Sequence, residues 1–211
     1  MKAIFTNILF LALYCSSLNF SAQVKLGITT GISNSRFHGS NSESRIRIHN
    51  PFAKLSGQFN LNTHWSAELA MAYMALGGRI DEERRPNYLS SHKLFNLDYI
   101  LGESNLEYRP WRKFYMQIGV YAGYLTRVQA QGFDEVGNRI SSVQTLHPDV
   151  QSWDYGYNAG LGFTSNNGIR VGMRFFLGLA PVLSVGNSEF VNTLSTFSFT
   201  YWIPLKKTKD S

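Results

Sequence analysis

The segment Trp153–Ala180, WDYGYNAGLGFTSNNGIRVGMRFFLGLA, decides the fold. Its first arm carries Trp153, Tyr155, Tyr157, Ala159, Leu161 and Phe163 at odd positions and Asp154, Gly156, Asn158, Gly160, Gly162 and Thr164 at even ones. The second arm repeats the pattern, with Ile169, Val171, Met173, Phe175, Leu177 and Leu179 against Arg170, Gly172, Arg174, Phe176, Gly178 and Ala180. Strand side chains point alternately to opposite faces, so one face is wholly apolar and the other mixes charge, amide and glycine. A soluble hairpin would need a partner layer over its aromatic face, and the rest of the mature chain offers no helix to supply one. The alternation predicts instead a closed barrel in lipid with a polar interior.

The turn fixes the register. Phe163 and Val171 must share a face, which requires a three-residue loop, Asn166-Asn167-Gly168, with Ser165 opposite Ile169. Gly168 then takes the left-handed position such a loop needs. A two-residue loop would set apolar residues opposite polar ones and flip a whole face.

The same reading extends along the chain. Apolar and polar residues alternate over about 24–36, 51–61, 65–80, 92–108, 114–128 and 190–203, which with the opening hairpin makes eight strands. Ala, Glu, Leu and Met in 67–72 favour a helix by propensity, but the flanking strands need an antiparallel partner there. In the fourth strand Phe95, Leu97, Tyr99 and Leu101 are expected outward, then Leu106 and Tyr108, which calls for a β-bulge near Gly102-Glu103. Connections alternate long and short, the short ones being 62–64, 109–113 and 166–168. Short turns on one side and long loops on the other mark an outer-membrane barrel, and an even strand count returns both ends to the short-turn side. Phe59, Trp65, Tyr108, Phe114, Phe163 and Tyr201 would form one aromatic girdle; Tyr73, Phe95, Tyr124 and Trp153 would contribute to the other. The fold class is therefore all-β, an eight-stranded antiparallel transmembrane up-and-down barrel.

Composition agrees. The 211 residues include 18 Gly, 11 Tyr and 15 Phe, only 16% are charged, and no mature stretch is apolar for the length of a membrane helix. Residues 1–22 read as a secretory signal peptide, with Lys2, an apolar stretch Ile8–Tyr14 and small residues after it. Cleavage after Ser17 or Ala22 fits, with Ala22 preferred because the first strand follows directly. The one cysteine, Cys15, lies inside this segment, and Tyr14 before it does not suit a lipidation motif. Removal leaves no thiol for a disulfide or a nucleophile. The barrel domain spans 23–205, and 206–211 is a basic tail with Lys206, Lys207 and Lys209. The net charge of +6 is scattered over strands, loops and tail, with no basic helical stripe for nucleic acid. The expected location is the outer membrane of a Gram-negative bacterium.

Four segments carry a family resemblance: NFSAQ at 19–23, DYGYNAGLGF at 154–163, RFFLGLAPV at 174–182 and TFSFTYWIPL at 196–205. The mature chain resembles the small outer-membrane β-barrel proteins of Bacteroidetes, the porin-family or PorT-like group. The resemblance implies a barrel in the outer membrane. Members often end on an aromatic residue, whereas here LKKTKDS follows the last strand.

The inward set carries Lys25, Lys54, Arg127, Arg170 and Arg174 with Glu68, Asp98, Glu103, Glu107 and Asp154, five cations matching five carboxylates. Eight strands enclose an interior that side chains fill, and unpaired buried charge is costly. The expectation is a paired network that plugs the lumen; a gated ion path is the alternative. No catalytic residue, cofactor site or metal site is expected. His147-Pro148-Asp149 lacks a serine nucleophile at a recognisable motif, and His38, His49, His64 and His92 lack ligand spacing. Arg45, Arg47, Arg84 and Arg85 place positive charge in the long loops, where lipopolysaccharide phosphates or an envelope protein would meet it. The expected partners are outer-membrane lipid and such loop ligands. An outer-leaflet lipid-modifying enzyme and a small channel stay open as alternatives. A soluble lipocalin-like barrel would need an apolar interior.

Overall fold

The computed structural model describes residues 24–39, 48–81, 92–133, 139–142, 150–185 and 188–204. Nine antiparallel strands follow in order: β1 Val24–Gly39, β2 Ile48–Asn60, β3 Trp65–Asp81, β4 His92–Tyr108, β5 Phe114–Phe133, β6 Arg139–Ser142, β7 Trp153–Thr164, β8 Ile169–Val185 and β9 Ser188–Pro204. Eight of them form the wall, in the order β4-β3-β2-β1-β9-β8-β7-β5, and pairing of β4 with β5 closes it. Closure gives each of these eight strands a neighbour on both sides, the condition for strands to cross a bilayer. The segments 1–22 and 206–211 lie outside the described residues.

The opening hairpin folds as its pattern requires. Phe163 pairs with Val171 and Thr164 with Arg170. Ser165 N donates to Ile169 O at 2.7 Å, and Gly168 has φ +79°. The short turns 61–64, 109–113 and 165–168 lie at one end of the wall, where Lys25 also pairs with Pro204. We call this the turn end and the opposite one the loop end.

Apolar side chains cover the outside of the wall, among them Leu55, Met71, Ile118 and Phe163, each more than 60% exposed. In water such a surface would be untenable; in lipid it is the solvated face. Near the turn end the rings of Trp65 and Tyr108 lie 4.7 Å apart and those of Phe114 and Phe163 5.4 Å apart. Towards the loop end Tyr124 and Trp153 meet edge to face at 5.2 Å. The Phe95 side chain lies outside the described residues.

Two expectations are corrected. β4 carries no bulge against β3, since pairing runs unbroken from Asp81–His92 to Trp65–Tyr108. Alternation back from Glu107 therefore puts Leu101, Tyr99 and Leu97 inside the barrel, all fully buried. The bulge is on β5: Asp98 pairs with Arg127 and Tyr99 with Leu125, leaving Thr126 over. That extra residue flips the phase, so Arg127 emerges on the outer face while Val128 turns in. Asp98, opposite Ala75 and Arg127, shares the outward side of the pleat.

The sheet also outlasts the predicted strands at the loop end. β5 continues to Phe133 and pairs there with β6, inside what reads as a long loop. β8 and β9 stay paired as far as Val185–Ser188.

Candidate functional site

The inward side chains form two storeys. The storey at the turn end is ionic. Gln58, Glu68, Glu103, Glu107, Arg170 and Arg174 sit on β2, β3, β4 and β8 and are almost wholly buried. Lys54 Nζ donates to Glu68 Oε1 at 2.5 Å and lies 3.9 Å from Glu103 Oε2. Arg174 Nη1 donates to the same Glu103 oxygen at 2.5 Å. Nearer the mouth, Arg170 forms a two-pronged pair with Glu107, at 2.6 Å and 3.2 Å. Its guanidinium stacks 4.2 Å from the Tyr115 ring centroid and 5.1 Å from that of Trp202. A planar cation clamped by a carboxylate and two rings loses little further freedom, which is what Arg offers and Lys does not.

Arg109 completes this group, and the alternation of β4 is the signal for it. Two residues beyond Glu107, it keeps the inward phase although the strand has ended. Its Nε donates to Glu107 Oε1 at 2.6 Å and its Nη2 to Gln58 Oε1 at 2.9 Å. Ser66 Oγ links the same cluster, donating to Glu107 Oε1 at 3.3 Å and accepting from Gln58 Nε2 at 3.1 Å.

The storey at the loop end is apolar. Phe37, Phe52, Met74, Leu76, Leu97, Leu101, Leu125, Phe176, Val182, Leu183, Phe190 and Leu194 pack there as one buried cluster with Tyr99 and Tyr121. Sequence reasoning misses this storey because it equates apolar with lipid-facing. An eight-stranded barrel is narrow enough for side chains to fill, so its inward positions also hold a hydrophobic core.

Asp154 stands in this upper storey, apart from the other charges. It is fully buried, accepts from Asn192 Nδ2 at 2.9 Å and from Tyr121 OH at 3.4 Å, and has no cationic partner among the described residues. It lies where the wall is irregular. The β7–β8 ladder stops at Gly156–Gly178 and resumes only as an isolated bridge between Val150 and Leu183. The Asp154–Asn192 bond passes over β8 from β7 to β9 and ties the wall across that gap.

Of the ten charged residues expected in the lumen, Lys54, Glu68, Glu103 and Arg174 come together in one cluster and Glu107 and Arg170 in a second. Lys25 faces inward at the mouth, half-buried. Asp154 is inward but separate, and Asp98 and Arg127 stand on the outer face, opposite each other across β4 and β5. The bulge at Thr126 turns Arg127 out, while Asp98 follows the unbroken alternation of β4. Among the described residues no group of three or more His, Cys, Asp and Glu side chains is placed to hold a metal ion. His147-Pro148-Asp149 and the loop arginines Arg45, Arg47, Arg84 and Arg85 lie outside the described residues.

The chain is distantly similar to several solved bacterial proteins. Ail, the attachment invasion locus protein of Yersinia pestis, solved in complex with the heparin analogue sucrose octasulfate, is 13% identical, with 85% of this chain and 99% of that one covered and a TM-score of 0.43. Neisserial surface protein A is 10% identical over 85% of this chain and 97% of its own, with a TM-score of 0.45. The translocator domain of the autotransporter NalP from Neisseria meningitidis is 9% identical, covering 95% of each chain, with a TM-score of 0.27. No curated protein matches the sequence. The family model described as the outer membrane protein beta-barrel domain matches residues 16–184, most of the barrel wall. With its closed eight-stranded wall and lipid-facing exterior, the chain belongs to the outer-membrane β-barrel domain family.

Proposed function

We propose that this protein is a closed, non-conducting barrel whose work is done by its wall and its outer loops, as a structural or interaction element of the envelope. The observation that supports this reading is the set of side chains buried inside the wall. Salt bridges occupy the turn-end storey and a packed apolar cluster the loop-end storey. A water-filled path would have to cross both, and in the second an ion would meet mostly packed apolar side chains, with Asp154 already engaged by Asn192 and Tyr121. Conductance in planar bilayers tests it. The purified protein should give no steady current above the leak of the empty membrane; reproducible large conductance would favour the small-channel alternative.

The partner side of the proposal rests on chemistry in the sequence. Arg45, Arg47, Arg84 and Arg85 put fixed positive charge in the outer loops, suited to lipopolysaccharide phosphates or to an acidic envelope protein. Binding to vesicles with and without lipopolysaccharide, in a variant with all four changed to Gln, tests this. Unchanged binding in that variant would remove the loops from the account. Within the family, DYGYNAGLGF and TFSFTYWIPL support placing the chain near the small porin-type barrels of Bacteroidetes. No motif in the sequence pairs a nucleophile with a base, so the reading includes no enzymatic step.

A further inference from the structure

Positive charge outnumbers negative at the turn-end mouth. Lys25, Arg109 and Arg170 gather around one carboxylate, Glu107. That carboxylate is already engaged on both oxygens: Oε2 takes Arg170 Nη1 at 2.6 Å, while Oε1 takes Arg109 Nε at 2.6 Å and Arg170 Nη2 at 3.2 Å. Two guanidinium groups thus share one negative charge, and Lys25 has no ion pair among the described residues. Three cations against one anion leave an excess of two positive charges in this group.

Two donors beside it are left without an acceptor. Trp202 Nε1 and Ser56 Oγ make no hydrogen bond, although Trp202 is only 6% exposed and Ser56 only 5%. The register assembles them. Gly27 is the Cα partner of both Ser56 and Trp202, and Lys25, one inward step towards the mouth, is opposite Gln58 and Pro204. Gly27 is required there, because a Cβ would fall 2.7 Å from Ser56 Oγ and 2.8 Å from the Trp202 ring.

A buried indole N–H without an acceptor costs free energy comparable to a lost hydrogen bond. A water molecule would satisfy the indole but leave the excess charge. An anion answers both, through charge-assisted hydrogen bonds. We propose that the periplasmic mouth of the barrel is a binding site for a small oxyanion of the phosphate type, bordered by Lys25, Ser56, Trp202, Arg109 and Arg170. Lys25 supplies charge that no carboxylate among the described residues pairs, and the indole N–H and the hydroxyl are the donors left for the anion. The arginines, committed to Glu107, contribute field. The site does not depend on whether the storeys above it conduct.

The test uses the mature full-length barrel in maltoside micelles, which contain no phosphate. Inorganic phosphate is titrated at constant ionic strength while the tryptophan indole N–H resonances are followed by NMR. Trp202→Phe assigns the fourth signal; Trp65, Trp111 and Trp153, all exposed, report any general salt effect. The expected result is a saturable shift confined to Trp202. Its midpoint should rise about tenfold or more in Lys25→Gln, as for loss of one charge-assisted contact, and stay unchanged in Lys113→Gln, an exposed cation at the far end of the turn that begins at Arg109. A parallel sample in phospholipid nanodiscs without free phosphate separates the sources. A Trp202 signal already at its saturated position there identifies lipid headgroups as the occupant, and a signal at the phosphate-free position identifies free anion. No saturable shift of Trp202 in micelles would overturn the proposal. So would equal midpoints in the wild type and Lys25→Gln, or equal weakening in Lys113→Gln.

Discussion

Arg174 and Glu103 give the sharpest test of the lumen. Their side chains are at most 4% exposed and meet at 2.5 Å, from β8 and β4 on opposite parts of the wall. Glu103 has one further cation near it, Lys54 at 3.9 Å, which is itself held by Glu68 at 2.5 Å. Removing either member of the pair leaves this four-residue cluster with one uncompensated charge. For a buried pair the cost of that is about 3–5 kcal/mol. Removing both restores neutrality, with Lys54 and Glu68 still joined. Glu103→Gln and Arg174→Gln should therefore each destabilise by about 3–5 kcal/mol, while the double variant costs no more than the worse single one. The coupling then amounts to about 3 kcal/mol or more, well beyond the spread of independent sites. The assay is urea unfolding in lipid vesicles followed by tryptophan fluorescence. Additive effects, or single effects below about 1 kcal/mol, would refute the reasoning and indicate that water screens the pair.

Three further outcomes follow from the facing of the wall. Leu161→Arg, on the outer face of β7, should cost about 2–4 kcal/mol if it lies near the bilayer midplane, and Leu161→Phe should stay within about 0.5 kcal/mol; equal effects would contradict the outward assignment. Leu97→Ala, inside the upper storey, should cost about 2–5 kcal/mol, whereas Ile100→Ala, facing lipid on the same strand, should cost less than about 1 kcal/mol, since no packed cavity forms there; the reverse order in the same urea assay would restore the outward reading of Leu97. Gly168→Ala should cost about 1–2 kcal/mol because the position is left-handed, and a neutral result would mean that the turn adopts another conformation.

The amino-acid sequence determined the wall and its environment. Period-two alternation with an aromatic outer face needs only local information, because each residue's side follows from its position in the strand. The even-sum constraint on Phe163 and Val171 sufficed for the register of the hairpin, including the left-handed Gly168. The same parity also placed Lys54, Glu68, Glu103, Glu107, Arg170 and Arg174 on the inner face. Tertiary structure decided three things that alternation alone does not contain. One extra residue, Thr126, turned Arg127 to the outside, because a bulge is defined against a partner strand rather than within its own. Closure of a narrow barrel turned Leu97, Tyr99 and Leu101 into a core, because apolar side chains are equally at ease against lipid and against each other. And contacts between strands far apart in the chain selected which charges meet: Arg109 joined Arg170 on Glu107, and Asp154 was left with Tyr121 and Asn192. Pairing of that kind depends on strand stagger around the barrel, a property of the closed sheet that no single strand encodes.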